Sequence, residues 1–188
     1  MTAPRLVVEL VPATSWFENL RSLLAPADWD RLRRQTYRAA RYRCEVCGGR
    51  GEAHPVECHE RWVYDEVAGT QTLSGLIALC PLCHLVVHFG YARTVGRQEE
   101  AGRHLMRVNN WSRREAHGHV QAAFATFERR SGQHWRLDVS WLAGQGVEVR
   151  PPAGPDLEEL SGEVLFEVLF GEEDQPVPRL SRAERRRR

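Results

Sequence analysis

Two pairs of cysteines with the spacing C-x-x-C constrain the fold of this 188-residue chain more than any other feature. The first pair is Cys44 with Cys47, and the second is Cys80 with Cys83. A C-x-x-C pair bends its backbone into a knuckle that presents two thiolates, and two knuckles complete a tetrahedral zinc site. The spacing therefore predicts structural Zn²⁺ in a closed site, which stabilises a fold and leaves no position for a substrate.

The expected compartment supports metal binding by these cysteines. The stretch "MTAPRLVVELVPATSW" lacks the charged-then-apolar order of a secretory signal. Residues 67 to 92 carry no charged side chain, but cysteines, histidines and a proline interrupt them. Their strongly apolar part is shorter than the roughly 20 residues that a membrane span needs. We expect a cytoplasmic protein without a membrane segment, in which paired cysteines bind metal rather than form disulfides.

Histidines close to the second cysteine pair predict a further metal site. His84 and His88 are four residues apart, so on a helix both imidazoles lie on one face. If "VECHERW" is a strand, His59 points to the side opposite Cys58 and Glu60, and it can supply a third ligand. The dense run "LCPLCHLVVH" then serves two metals, with cysteines on one and histidines on the other.

The motifs between residues 44 and 90 resemble the HNH endonucleases of the ββα-metal, or His-Me finger, group in their zinc-knuckle form. They run as C-x-x-C, then His59-Glu60 on a strand, then "LIALC" and C-x-x-C-H-x-x-x-H. Flanking stretches such as "RRQTYRAARYRCEVCG" and "GRHLMRVNNWSRREA" are also similar to bacterial stand-alone proteins of this kind. The resemblance implies an α+β fold, with a zinc-stabilised, treble-clef-like ββα core flanked by helices and short strands.

The resemblance also implies an activity, the hydrolysis of DNA phosphodiester bonds. One divalent cation (Mg²⁺, Mn²⁺, Ni²⁺ or Zn²⁺) on His59, His84 and His88 would polarise the scissile phosphate, while a base on the strand activates water. Aligning "VECHE" with the family's usual "LEVHH" places Glu57 at its family position and Glu60 at that of the base. The implied catalytic residues are therefore Glu60, His59 and His84.

Alternatives remain open at the same positions. A rival alignment makes Cys58 the metal ligand and His59 the base, and the family's middle Asn falls at Gly75. The alternative function is a zinc-stabilised nucleic-acid or protein binding module with a degenerate nuclease centre. A metal-dependent hydrolase of another substrate is a third possibility. The three histidines favour an enzyme, because a binding module has no need of a second metal.

Arginines supply the expected contacts to DNA, since the chain contains no lysine among its 26 basic residues. The net charge is only +1, but residues 1 to 50 sum to +4 and residues 51 to 100 to −4. Helical spacing predicts that four arginines form a stripe along one face of the helix that begins at Pro26 and runs to Cys44. This face is either solvated or binds the phosphates of DNA. The stripe consists of Arg31, Arg34, Arg38 and Arg41.

The domain organisation follows from these patterns. We expect a nuclease domain over residues 1 to 150, with its motif core at 44 to 90 and flanks at 5 to 43 and 95 to 142. Residues 151 to 188 should form a partly disordered tail without a catalytic role, first acidic and then arginine-rich. In the flanks we expect the strands "RLVVELV" and "HWRLDVSWL" and two helices, "GRQEEAGRHLMRVNNW" and "SRREAHGHVQAAFATFERRSG".

Overall fold

A computed structural model of the chain describes residues 3 to 15, 19 to 147 and 149. The tail predicted for residues 151 to 188 lies outside the described residues, so its predicted character stays a prediction. None of the described helices is both long enough and apolar enough to cross a membrane.

The described residues form an α+β fold with a small sheet. The helices are α1 (Leu20–Leu23), α2 (Pro26–Ala39), α3 (Pro81–Val87), α4 (Phe89–Thr94), α5 (Gln98–Asn109) and α6 (Arg113–Ser131). The strands are β1 (Glu57–Asp65), β2 (Thr70–Leu79) and β3 (Arg136–Asp138), in the spatial order β1-β2-β3. Short 3-10 helices cover Ala13–Ser15 and Ser140–Gln145.

An antiparallel hairpin of β1 and β2 forms the centre of the sheet. The Asp65 carboxylate accepts hydrogen bonds from the backbone N–H groups of Val67 and Ala68, which fixes the turn. The register shifts after Arg61, which pairs with Gly75, so that Trp62 pairs with Leu73 and Ser74 is left as the extra residue. Gly75 has φ +147°, which a residue with a side chain rarely adopts. The position expected to hold the family's Asn is therefore a glycine bulge.

Helix α3 follows β2 without a loop and contacts both strands of the hairpin. Cys80 is its N-cap residue and Pro81 its first residue, where a missing N–H leaves no helical hydrogen bond unmade. His88 ends the helix, and its backbone N–H donates to the carbonyl oxygen of His84 at 3.0 Å. The hairpin and α3 together bring the cysteines and histidines of the sequence motifs onto one unit.

Two apolar clusters lie in the described part of the chain, and β2 contributes to both. The first surrounds α3 and α5, where Leu79 of β2 is buried, and it includes Cys44, Cys80 and Cys83. In the second cluster Leu73 of β2 packs against α1, α2 and the segment after β3. The hairpin thereby joins the half of the fold that carries the cysteines to the half that carries α2.

The predicted strand at residues 5 to 11 is wrong. This segment, here called the N-terminal strap, gives its backbone donors to helices instead of to a sheet. The N–H groups of Arg5 and Leu6 donate to the Asn109 side chain, and that of Val8 donates to Nε2 of His119. His119, which accepts this hydrogen bond from the strap, is half-buried.

Helix predictions are confirmed at α5 and α6, where Ser112 and Glu115 form the expected capping box. Two other boundaries differ from the predictions. Helix α2 ends at Ala39, because Arg41 and Tyr42 adopt left-handed backbone conformations with φ +53° and +55°. The strand predicted over residues 134 to 142 shrinks to β3, since a 3-10 helix begins at Ser140.

Candidate metal centres

The cysteine centre brings the four paired cysteines together, as predicted. Their sulfur atoms all lie within 4.8 Å of one another, and Sγ of Cys47 is 3.6 Å from Sγ of Cys80. A tetrahedral zinc ion with 2.3 Å bonds places its sulfur ligands about 3.8 Å apart. None of these cysteines forms a disulfide. The donor set and its spacing fit a structural zinc ion.

Backbone geometry around the first pair explains how the knuckle forms. Gly48 has φ +74°, and its N–H donates to the carbonyl oxygen of Cys44 at 2.8 Å. The N–H of Gly49 points at Sγ of Cys47 at 3.4 Å. Glu45 fastens this knuckle to the end of β2, since its backbone N–H and its carboxylate both bond to the backbone of Ala78. The two knuckles are thus held in register by the last residues of β2.

Electrostatics within the cysteine centre favour a cation. Hydrogen bonds with Cys80 and Cys83 lower the pKa of Cys44 far below the usual thiol range. Hydrogen bonds with Cys44 and Cys80, followed by burial, raise the pKa of Cys83 far above that range. The cluster by itself therefore stabilises one thiolate and opposes further ones. A divalent cation removes that opposition, because all four sulfurs then bind as thiolates.

A buried histidine that the sequence analysis did not identify contacts this centre. Nε2 of His104, on α5, lies 3.0 Å from Sγ of Cys83. A guanidinium nitrogen of Arg107 lies 2.7 Å from Nδ1 of the same ring. Because arginine only donates, Nδ1 accepts and the ring proton is on Nε2, facing the sulfur. Burial, followed by the nearby charge of Arg107, lowers the pKa of His104, which is consistent with a neutral ring.

The histidine centre brings together the three histidines that the sequence predicted as ligands, His59, His84 and His88. One nitrogen from each ring lies within 4.8 Å of the others, and the ring centroids are 4.6 to 5.3 Å apart. The Nε2 atoms of His84 and His88 are 3.1 Å apart. A metal with bonds of 2.0 to 2.1 Å places tetrahedral nitrogen ligands about 3.4 Å apart. The cluster contains His59 and not Cys58, in agreement with the first alignment.

Glu57 fixes the orientation of one ring of this centre. Its carboxylate lies 2.6 Å from Nδ1 of His84 and accepts the hydrogen bond from that nitrogen. The proton is therefore on Nδ1, and the lone pair of Nε2 points towards the other two histidines. Strand alternation places Glu57 and His59 on the same side of β1.

The protonation state of the centre suits a metal. Burial, followed by the charge of His84, lowers the pKa of His59 to about 3. Burial and the same neighbour hold the pKa of His88 well below its usual value. Among the described residues, Nε2 of His59 has no hydrogen-bond partner although it is buried. A buried polar atom without a partner is unfavourable, and a cation at this nitrogen removes the deficit.

Glu60, the predicted base, lies on the opposite side of β1 from His59. One carboxylate oxygen accepts from the backbone N–H of Leu20 at 2.7 Å, and the other accepts from the indole N–H of Trp62 at 3.1 Å. Burial raises the pKa of this carboxyl. The observed contacts join α1 to the hairpin, and the role of Glu60 as a base stays a prediction.

The predicted arginine stripe is interrupted. Arg31 contacts Asp28 and donates to the carbonyl oxygens of residues 145 and 146, while Arg34 pairs with Asp30 at 2.8 Å. Arg41 lies beyond the end of α2, so the predicted place of this residue on the helix face is wrong, and its contact with DNA stays a prediction. Arg38 and Arg41 are exposed.

A pocket of about 380 Å³ opens beside the histidine centre. It lies between the N-terminal strap, β1 and α6, and both Glu9 and His59 contribute to its wall. At its other end Arg130 stacks on the ring of Tyr64, with the guanidinium carbon 4.5 Å from the ring centroid. The cysteine centre does not line this pocket, so the two centres differ in access.

No protein-family model, curated protein or solved structure matches this chain. The resemblance to HNH endonucleases stays a prediction from the motifs. The described residues form an α+β fold in which a four-cysteine cluster and a three-histidine cluster have ligand atoms close enough together to hold a metal ion.

Proposed function

We propose that this protein is a metal-dependent endonuclease of the HNH type, which hydrolyses DNA phosphodiester bonds at the histidine centre. The observation that carries the proposal is the convergence of His59, His84 and His88 at a hairpin-helix unit, where the buried Nε2 of His59 has no hydrogen-bond partner among the described residues. The cysteine centre already supplies a structural site nearby.

The coordination chemistry of the two centres suits them to different roles. Four thiolates saturate a tetrahedral zinc ion, so the cysteine centre has no position for a substrate oxygen. Three histidines leave coordination positions open. A divalent cation bound there supplies charge stabilisation for a phosphate group and its leaving oxygen.

Side chains around the histidine centre supply orientation. The Glu57 carboxylate holds His84 in the tautomer that binds a metal through Nε2. Burial keeps His59 and His88 neutral, which is the ligand form. Glu60 acts as the base in the family alignment, and its raised pKa makes it a better proton acceptor than an exposed glutamate. For that role its hydrogen bonds with Leu20 and Trp62 must open, and its carboxylate must reach around β1 to the side that carries His59.

Plasmid nicking tests the proposal. Zinc-containing wild type should nick supercoiled DNA with Mg²⁺, Mn²⁺ or Ni²⁺, and EDTA should stop the reaction. His84→Ala should lose the activity, because the variant lacks one metal ligand and the hydrogen bond between that ligand and Glu57. His117→Ala is the matched control, since this histidine is exposed on α6. Nicking that persists in EDTA or in His84→Ala would disprove the proposal.

One observation favours a second candidate, a zinc-stabilised nucleic-acid binding module. Both carboxylate oxygens of Glu60 are occupied, and Gly75 stands where the family has its Asn. A module of this kind would retain DNA in a mobility-shift assay and cleave it with none of the three cations. That result would replace the endonuclease proposal by the binding proposal.

A further inference from the structure

A carboxylate from a distant part of the chain approaches His59, one ring of the histidine centre. Glu9, on the N-terminal strap, places Oε2 3.6 Å from Nε2 of His59. Fifty positions separate the two residues in the sequence, and no motif connects them. Glu9 has no part in the HNH resemblance.

The backbone of the strap holds Glu9 in this place. Its N–H donates to the carbonyl oxygen of Val87, the last residue of α3, at 3.0 Å. The preceding N–H, of Val8, donates to Nε2 of His119 at 3.0 Å. Val87 lies between His84 and His88 in the chain, so the helix that carries two of the histidines also anchors the strap. The approach of Glu9 is built into the fold.

The separation of the two atoms suits a shared cation. Nitrogen and oxygen ligands at about 2.1 Å in a tetrahedral arrangement lie about 3.4 Å apart, close to the 3.6 Å observed between His59 and Glu9. Nε2 of His59 is buried and has no hydrogen-bond partner among the described residues. The Glu9 side chain is 45% exposed, and both residues line the pocket of about 380 Å³. A cation can therefore reach the space between them from the pocket.

A simple ion pair does not explain this contact. It would need a protonated imidazole at His59, which is only 9% exposed and packs against two further imidazoles. Burying that charge is costly. A metal ion satisfies the nitrogen lone pair and the carboxylate together.

We propose that Glu9 is the fourth protein ligand of the histidine centre, which becomes a site of three imidazoles and one carboxylate. A cation that accepts five or six ligands keeps a position there for a substrate oxygen. The inference rests on the proposed function only in taking the three histidines as metal ligands, and it does not require DNA cleavage. The added oxygen lowers the charge of the loaded centre by one. It also favours cations that accept mixed nitrogen and oxygen ligands, such as Mn²⁺, Co²⁺, Ni²⁺ and Zn²⁺.

Cobalt titration of the full-length, zinc-containing protein tests this ligand. Co²⁺ binding is followed by calorimetry and by visible absorption, which reports the ligands around the ion. Glu9→Gln keeps the size of the side chain and removes its negative charge. The affinity for Co²⁺ should therefore fall by about 10-fold to 100-fold, and the visible spectrum of the bound ion should change. Glu9→His, which returns a ligand, should recover part of the affinity. Glu128→Gln, at an exposed position on α6, is the matched control and should behave as wild type.

The outcomes separate this inference from the proposed function. Unchanged affinity and spectrum in Glu9→Gln, with affinity lost in His59→Ala, would overturn the role of Glu9 and leave the histidine centre standing. Unchanged binding in both variants would overturn the histidine centre itself, and with it the proposed function. If Glu9→Gln also loses zinc from the cysteine centre, Glu9→His is the deciding variant. A folded Glu9→His protein whose histidine centre does not regain affinity for Co²⁺ would overturn the proposal.

Discussion

The cysteine centre and the histidine centre share α3, yet they have opposite characters. Cys83 and His84 are consecutive residues, and the turn of about 100° per residue in a helix sends them to different centres. The cysteine sulfurs are held by each other, by backbone N–H groups and by His104. In the histidine centre, Nε2 of His59 has no hydrogen-bond partner within the described part of the chain, and the residue lines a pocket. One helix thus carries ligand residues of both centres.

The largest expected effect is the loss of the cysteine centre. In Cys80→Ser we expect the domain to unfold or aggregate, because zinc binding contributes roughly 10 to 16 kcal/mol in small zinc-dependent folds. Zinc content and near-ultraviolet circular dichroism measure the change. Cys58→Ser is the control, since Cys58 lies outside the cluster and this variant should retain its zinc. A folded Cys80→Ser protein with wild-type thermal stability would show that the centre is not structural.

Glu60→Gln tests whether Glu60 acts as a base at the histidine centre or only stabilises the fold. If Glu60 is the base, turnover should fall by roughly 10²-fold to 10⁴-fold, while the affinity of the histidine centre for metal changes little. If it only joins α1 to the hairpin, thermal stability should fall and the folded fraction should keep its turnover, because one hydrogen bond to Leu20 or Trp62 is weakened. Turnover per folded molecule decides between the two. A wild-type rate would exclude the base role.

His104→Leu should affect the cysteine centre alone. Without the N–H that faces Cys83, we expect zinc to transfer to a chromophoric chelator roughly 10-fold to 100-fold faster. His104→Gln, which can still donate a hydrogen bond, should lie closer to wild type. Equal transfer rates in all three proteins would show that the contact does not hold the sulfur. Co²⁺ affinity at the histidine centre should stay unchanged.

The smallest expected effect lies far from both centres. Arg129 and Arg130 lower the pKa of Glu66 to about 2 by hydrogen bonds, and the group is fully exposed. A lowered carboxyl pKa stabilises the fold at neutral pH, and this contribution disappears as the pH falls from about 4.5 towards 2. Zinc also leaves thiolates in acid, so the measurement belongs at pH 7.

At that pH, Glu66→Gln should lower the melting temperature slightly at low salt and not at high salt, because ions screen exposed charges. Metal content should not change in this variant. A difference in melting temperature that persists at high salt would contradict the electrostatic explanation.

The sequence predicted the parts of the two centres that depend on short spacings. The C-x-x-C pairs and the i, i+4 histidines act through local backbone geometry, and strand alternation together with the family alignment favoured His59 over Cys58. Helix α6 was predictable because its capping box lies within four consecutive residues. In each of these cases the pattern and the physical contact involve the same stretch of chain.

Contacts between distant segments were not predictable. His104 meets Cys83 from α5, and Glu9 meets His59 from the N-terminal strap, and no spacing rule connects either pair. The strap alternates like a strand, but its N–H groups bond to Asn109 and His119, which only the packed helices bring within reach. The contacts of Arg31 are a further example. Its carbonyl partners lie more than 110 residues away in the chain, so the helical spacing around Arg31 could not predict them.

The central claim is that one chain holds two independent metal ions, one in each centre. Native mass spectrometry after saturation with Zn²⁺ counts the ions directly. The account predicts two ions bound to the wild type and one bound to His88→Ala, with the remaining ion resistant to a chelator that strips the second from the wild type. A single ion in the wild type, or the loss of both ions in a folded His88→Ala protein, would contradict the account.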